Sequence, residues 1–302
     1  MFSIISDSGC DFSKGEAMLY GIDIVPFYIT FDRENHLREG IDINKEDYFK
    51  RLLAEKDLFP QTAQPNPQDY IDICLPYLKN GEDVFITTIS SKLSGSFTSA
   101  NIAVEFMKDE YPDRTIVIFD SLSASLGQGL ILKEIIKMRD SGYSIRETAR
   151  IAEYIRASTK IYFTLDTLEY LRRGGRVSST AAFVGNALGI RPVLHLVDGQ
   201  ILQYNKVRGK KRVLKFIEEE VILRLKNEKH NLSLSIGHIL NRDDATTLKE
   251  CTEDTLNTST SNSLVEVGAC VGTHTGPGAL ALAYCKKYEC FLFAQNEDLR
   301  AA

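Results

Sequence analysis

The 302-residue chain has no two cysteines spaced as CxxC, no apolar run of bilayer length, no excess of positive charge and only five histidines. Each absence closes a class of function. The six cysteines (Cys10, Cys74, Cys251, Cys270, Cys285 and Cys290) form no compact framework, so they read as reduced thiols. Crossing a bilayer as a helix takes roughly 18–20 consecutive apolar residues, and without them stable membrane insertion is not expected. A formal charge of −5 offers no basis for non-specific nucleic-acid binding. The opening MFSIISDSGCDFSKG has no basic segment followed by a long apolar one, which sets the expectation of a cytoplasmic protein. Catalytic signatures are missing too: there is no GxSxG, no GxxxxGK, no HExxH and no serine with a lysine three residues on.

What is present is globular in character, 43% hydrophobic and 25% charged. The length suits two domains. In the first half, short β-rich runs (FSIIS at 2–6, IDIVPFYITF at 22–31, DVFITTI at 83–89, TIVIFD at 115–120) alternate with helical patterns. Asn44 and the Ser144/Glu147 pair read as helix starts. Beyond about Lys160 the rhythm changes. KIYFTL reads as a strand, DTLEYLRRGGR as a short helix ending in glycines, and RPVLHLVDGQILQYNKV as a hairpin turning at Asp198-Gly199. A helix over 209–228, a strand over 232–238, a helix over 242–257 and a strand over 263–269 are predicted to follow. The fold expected is therefore α/β in two domains. Residues 1–158 carry a mostly parallel sheet flanked by helices, residues 159–293 a mixed or antiparallel sheet, and residues 294–302 form a tail without a role.

In parallel sheets the chemistry sits in the loops that follow the strands. SSKLSGSF at 90–97 holds four serines in seven residues, more than one helix cap requires. Ser91, Ser94 and Ser96 at a helix start suit an anion. FPQTAQPNP at 59–67 places Thr62 and Gln64 in a turn bounded by prolines. VGTHTGPGALALAY at 271–284 reads as a loop leading into a helix. A helix N-terminus beside His274 would keep its imidazole neutral. Each stretch also has a plainer reading as a cap, a turn or a core histidine. Together they supply uncharged donors suited to a deeply buried carboxyl group. Burying an ion costs several kcal/mol, and each buried methylene of an attached chain returns about 0.8 kcal/mol. That balance favours a long-chain acid.

Several motifs in order, namely SDS near the start, TAQP at 62–65, SSKLSG at 90–95, LRRGGR at 171–176, RPVL at 191–194, VRGKKR at 207–212 and HTGPGALA, make the chain resemble the DegV family over about residues 1 to 293. The resemblance implies a two-domain α/β protein that holds a long-chain fatty acid such as palmitate between its domains, with no cofactor and no metal. It implies carboxyl contacts at Thr62, Ser94 and His274, to which the loop readings above add Ser91, Ser96 and Gln64 as a supporting pocket. Some family members are the lipid-binding subunit of a bacterial fatty acid kinase and present the acyl carboxyl to a separate ATP-dependent subunit. Arg176 and Arg208 match basic positions associated there with docking or phosphoryl transfer. Thr275-Gly276-Pro277 departs from the small residues usual after the histidine. Candidate tunnel residues are Ile102, Phe106, Phe163, Ala182, Phe183 and Leu188. The competing class is a free-standing serine-dependent hydrolase or acyltransferase, with Asp7 or Asp120 available through space to orient His274 as a base.

Overall fold

The computed structural model describes residues 2–55, 58–176, 189–258 and 264–295. The first unit begins with β1 (Phe2–Asp7), α1 (Lys14–Tyr20), β2 (Ile22–Val25), β3 (Tyr28–Thr30), β4 (Leu37–Arg38), α2 (Lys45–Ala54), β5 (Gln61–Ala63) and α3 (Pro67–Lys79). It continues with β6 (Asp83–Thr88), α4 (Ser96–Glu110), β7 (Ile116–Asp120), α5 (Leu126–Asp140) and α6 (Ile145–Ser158). Four strands pair in parallel in the order β2-β1-β6-β7. Both faces of this sheet are covered, which is why its strands are near-continuous apolar runs. Tyr70, Cys74, Ala100 and Val104 from α3 and α4 pack with Ile5 and Val84 on one face, and α5 and α6 cover the other. The chain reverses its order between β1 and β6, so a crevice opens beyond their carboxyl ends. The small sheet β4-β3-β5 stands beside it.

The second unit contains β8 (Lys160–Thr164), α7 (Glu169–Gly174), β9 (Ile190–Val197), β10 (Gln200–Arg208) and α8 (Lys210–Glu220). After these come β11 (Leu232–His238), α9 (Arg242–Leu256), β12 (Val265–Glu266), α10 (Ala269–Thr275) and β13 (Leu280–Lys286). The sheet order is β10-β9-β8-β13-β11-β12, antiparallel except for the β11–β12 pair. This is the mixed α/β architecture expected from the sequence.

Helix α5 lies between the two sheets. Eleven of its fifteen residues are buried, and it packs against β1 on one side and β11 and β13 on the other. A helix buried all round needs apolar or small residues on every face, and LGQGLILKEIIKM supplies them except at the buried Gln128, which donates to Asp7, and Glu134, which accepts from Ser233. On the six-stranded sheet, β13 separates two cores. Leu280 and Leu282 face α8 and α9, whereas Ala281, Ala283 and Cys285 face α5.

The local signals hold where their cause is local. Ser144 accepts from Glu147 N while Glu147 accepts from Ser144 N, and Asn44 accepts from Asp47 N at 2.8 Å. Asp198 and Gly199 turn the β9–β10 hairpin with φ of 48° and 78°, the positive pair that two-residue hairpins require. Gly199 is also pressed on the first unit: Ser90 Oγ donates to its carbonyl at 2.8 Å, and a Cβ there would lie 2.3 Å from that oxygen. Gly199→Ala is expected to cost about 2 kcal/mol or more through strain and displacement of Ser90, read as a lower urea midpoint with an unchanged slope.

Three expectations need correction. The helix over 209–228 stops at Glu220, because Val221, Ile222 and Leu225 turn into the core as a 3-10 segment. The strand over 263–269 is limited to Val265–Glu266 among the described residues, and helix α10 starts at Ala269. The segment after His274 is strand β13, with the helix before it. Positive φ at Gly276 (75°) and Gly278 (85°) ends α10 and redirects the chain.

Candidate functional site

A cavity, open at its mouth, lies between the loops of the parallel sheet and the inner face of the six-stranded sheet. Its walls are apolar. Phe27, Ile89, Leu93 and Ala124 come from the first unit, and Ile161, Phe163, Leu196, Ile201, Val267 and Ala281 from the second. Thr62, Gln64, Ser94, Arg176 and His274 also line it, beside Thr275. A mostly apolar pocket with a few convergent polar groups is the usual form of a ligand site.

Four separate segments bring those polar groups together. Thr62 sits on β5, a three-residue strand paired antiparallel with β3 (Ile29 opposite Thr62), where a simple turn was expected. Flanking Pro60 and Pro65 keep it short. Ser94 closes the turn after β6, where its backbone N–H donates to Ser90 O at 3.1 Å. Its hydroxyl accepts from Ser96 N at 3.2 Å, which leaves the hydroxyl proton free to donate. Gly95 lets Gln64 in close: a Cβ at 95 would stand 3.1 Å from Gln64 Nε2.

His274 occupies the last turn of α10, with its Nε2 2.8 Å from Thr62 Oγ1. Its Nδ1 is buried without a hydrogen-bond partner and rests on Gly174, where a Cβ would fall 2.1 Å from it. Burial first, and the nearby Arg176 charge second, push its pKa down to about 4. The imidazole is therefore neutral near pH 7, as expected, but for a different reason. It stands at the C-terminal end of a helix, where the dipole favours the charged form, and desolvation outweighs that effect. The helix itself is fixed on the first unit through Thr273 Oγ1, 2.7 Å from Tyr48 Oη.

The other expected residues divide. Gln64 and Phe163 line the cavity. Ser91 does not; its backbone N–H donates to Asp120 Oδ1. Ser96 is buried and donates to Asp7 Oδ2 at 2.6 Å, so it anchors the first helical turn of α4. Ile102 and Phe106 are exposed on the outside of α4, Phe106 at 66%. Ala182, Phe183 and Leu188 lie outside the described residues. Arg208 is exposed at the end of β10. Arg176 is at the cavity, its Nε donating to Leu93 O at 3.1 Å and its Nη1 to Gly174 O at 2.5 Å. A site with uncharged donors alone is thus incomplete, because a guanidinium borders it. Sequence reasoning also passed over Gly174, although the glycine pair in LRRGGR was a visible signal for close approach.

Among the described residues no group of three or more His, Cys, Asp or Glu is placed to hold a metal, and no helix is long and apolar enough to cross a membrane.

A family model described as "Uncharacterised protein, DegV family COG1307" matches residues 1–287. The chain belongs to the DegV family. A DegV domain-containing protein of Clostridium perfringens is 32% identical over 287 residues, covering 94% of this chain and 97% of that one. Among solved structures, a stearic acid-binding protein from Eubacterium ventriosum is 30% identical, with a TM-score of 0.90 over 96% of this chain and 100% of that one. DegV of Bacillus subtilis, described as a fatty acid binding protein, is 25% identical with a TM-score of 0.83, over 95% and 99%. This DegV chain therefore shares its two-domain fold with proteins described as binding fatty acids.

Proposed function

We propose that the protein holds a long-chain fatty acid in the cavity between its two units and presents the carboxyl group to an ATP-dependent kinase subunit for acyl-phosphate formation. The observation that carries this reading is the 2.8 Å Thr62–His274 contact on a mostly apolar cavity that Ser94 also lines. The bare Nδ1 against Gly174 implies the tautomer with its proton on Nε2. Nε2–H then donates to Thr62 Oγ1, which frees the threonine hydroxyl to donate to the carboxyl. His274 acts through Thr62, while Ser94 donates directly. Arg176 orients the carboxylate from the side, and the exposed Arg208 is the docking contact.

The cavity reaches Ile201 on β10, Leu196 on β9, Phe163 on β8, Ala281 on β13 and Gly237 on β11. It therefore crosses four strand spacings, roughly 19 Å at about 4.8 Å each. An extended chain of about 1.52 Å bonds advances about 1.25 Å per carbon, so the span matches an acid of about 16 carbons. Burying that chain contributes about 12 kcal/mol as an upper bound, before association entropy is subtracted. Denaturing extraction and mass spectrometry of the purified protein are expected to release one acid of about 14–18 carbons per chain. Adding ATP and a kinase subunit is expected to convert it to the acyl-phosphate. An acid-free protein that also fails to bind added palmitate would end the proposal.

A further inference from the structure

Ser125 stands at the turn from β7 into α5 and is 4% exposed. Its backbone has φ 52° and ψ −126°, a combination closed to most L-residues and retained only where the surroundings enforce it. The turn is enforced by close packing: a Cβ on Gly127 would lie 2.1 Å from Ser123 Oγ. Ser123-Ala-Ser125-Leu-Gly127 is thus a strand–turn–helix elbow of the kind that lifts a nucleophilic serine out of its turn, with Ser123 where such elbows carry their first glycine.

The hydroxyl is not spent on the helix. Ser125 is the N-cap residue of α5 yet makes no side-chain cap bond; its Oγ donates to Asp11 Oδ2 instead. Asp11 is held in turn by Gly268, whose N–H donates to Oδ1 at 2.9 Å. A nucleophile, a base in hydrogen-bond contact and a group orienting the base are therefore in place. Burial, with Glu39 beside it, pushes the Asp11 carboxyl up to about 7 despite the Ser125 and Gly268 hydrogen bonds and the Lys45 charge, which suits a base working near neutrality. The two residues border different spaces. Ser125 lines the acyl cavity. Asp11 lines a separate open cleft with Glu39 and Lys45.

We propose that Ser125 is an acyl-accepting nucleophile, with Asp11 as its base, that cleaves carboxylic esters whose alkyl acyl chain lies in the cavity. Ser125 Oγ bonds to the ester carbonyl carbon and passes its proton to Asp11. The carbonyl oxygen takes the negative charge and receives the N–H of Leu126 at the start of α5. The carbon–alkoxide bond then breaks and the alkoxide leaves with the proton from Asp11. Water arriving from the Asp11 cleft gives a proton back to Asp11 and attacks the acyl-serine carbonyl. Oγ departs and recovers that proton, and the products are the free acid and the alcohol. This activity goes beyond the carrier role and uses the same apolar walls.

The test uses the full chain, delipidated and shown by mass spectrometry to hold no acid. Hexadecyl fluorophosphonate is expected to add once per chain, at the Ser125 peptide, and excess palmitate to block it. p-Nitrophenyl palmitate is expected to turn over slowly, with the rate lost in Ser125→Gly and at least tenfold lower in Asp11→Asn. Glycine takes a φ of 52° without strain, so Ser125→Gly keeps the turn and isolates the hydroxyl. An unlabelled Ser125 in protein that rebinds palmitate overturns the nucleophile and leaves the carrier reading standing. Equal turnover by wild type and Ser125→Gly overturns it as well. Labelling at Ser125 in protein that cannot hold palmitate supports the esterase and sinks the carrier.

Discussion

Co-purified fatty acid is expected to disappear from a Thr62→Val, Ser94→Ala, His274→Leu triple variant whose fold is retained. In the proposed site Thr62 and Ser94 are the two direct donors, and hydrogen bonds to a charged group contribute about 1.5–3 kcal/mol each. The combined loss of about 3–6 kcal/mol corresponds to roughly a hundred- to ten-thousandfold weaker binding. The acyl chain keeps a residual grip, because the walls built from Ile161, Phe163, Leu196 and Ala281 are untouched. His274→Leu alone has a smaller effect, since Thr62 keeps its hydroxyl and loses only the group that aims it. Titration of delipidated protein with palmitate reads both steps, and circular dichroism reports the fold. Ser94 also accepts from Ser96 N, so a small fall in thermal stability accompanies the change. Affinity within threefold of wild type in the triple variant would remove these residues from the carboxyl site.

Gly174→Ala is expected to act through the same ring as His274→Leu, without touching either direct donor. A methyl at 174 would sit 2.1 Å from His274 Nδ1 and 2.9 Å from its Cε1, well inside contact distance. Gly174 ends α7, and positive φ first occurs at Gly175, so the backbone itself accepts alanine. The imidazole must therefore move, and the 2.8 Å contact to Thr62 breaks. We expect at least a tenfold loss of palmitate affinity and a melting temperature lowered by a few degrees. Pairing the change with His274→Ala supplies the test of cause. The methyl then enters the space the ring leaves, so the double variant is more stable than additivity allows. Strictly additive stabilities would show that residue 174 acts by some route other than the ring.

Much of this was legible in the chain. The capping box at Ser144, the hairpin at Asp198-Gly199 and the strand–helix alternation have causes within a few residues of themselves. Thr62, Ser94 and His274 were legible as isolated hydroxyl and imidazole positions and through the order of the motifs. The contact between Thr62 and His274 spans 212 residues, and no local pattern reports that. Leu280 to Lys286 misled because its apolar residues face two different cores, so the run shows neither clean alternation nor helical spacing. Arg176 reads locally as a charge near a helix end; only the fold turns it towards Leu93 and the cavity. The elbow at Ser125 was hidden because a serine stands where a glycine would have announced it.

The placement of α5 bears on how cargo is exchanged. A helix clasped between two sheets is a poor hinge, since parting the halves would expose Leu130, Ile131 and Ile135 together, at about 1.5–3 kcal/mol for each side chain. On the proposed carrier reading, loading and unloading then proceed by local fluctuation near β5 and α7, with the body of the molecule closed. Such a route predicts long residence times, with a bound acid held aboard until a local opening lets it out.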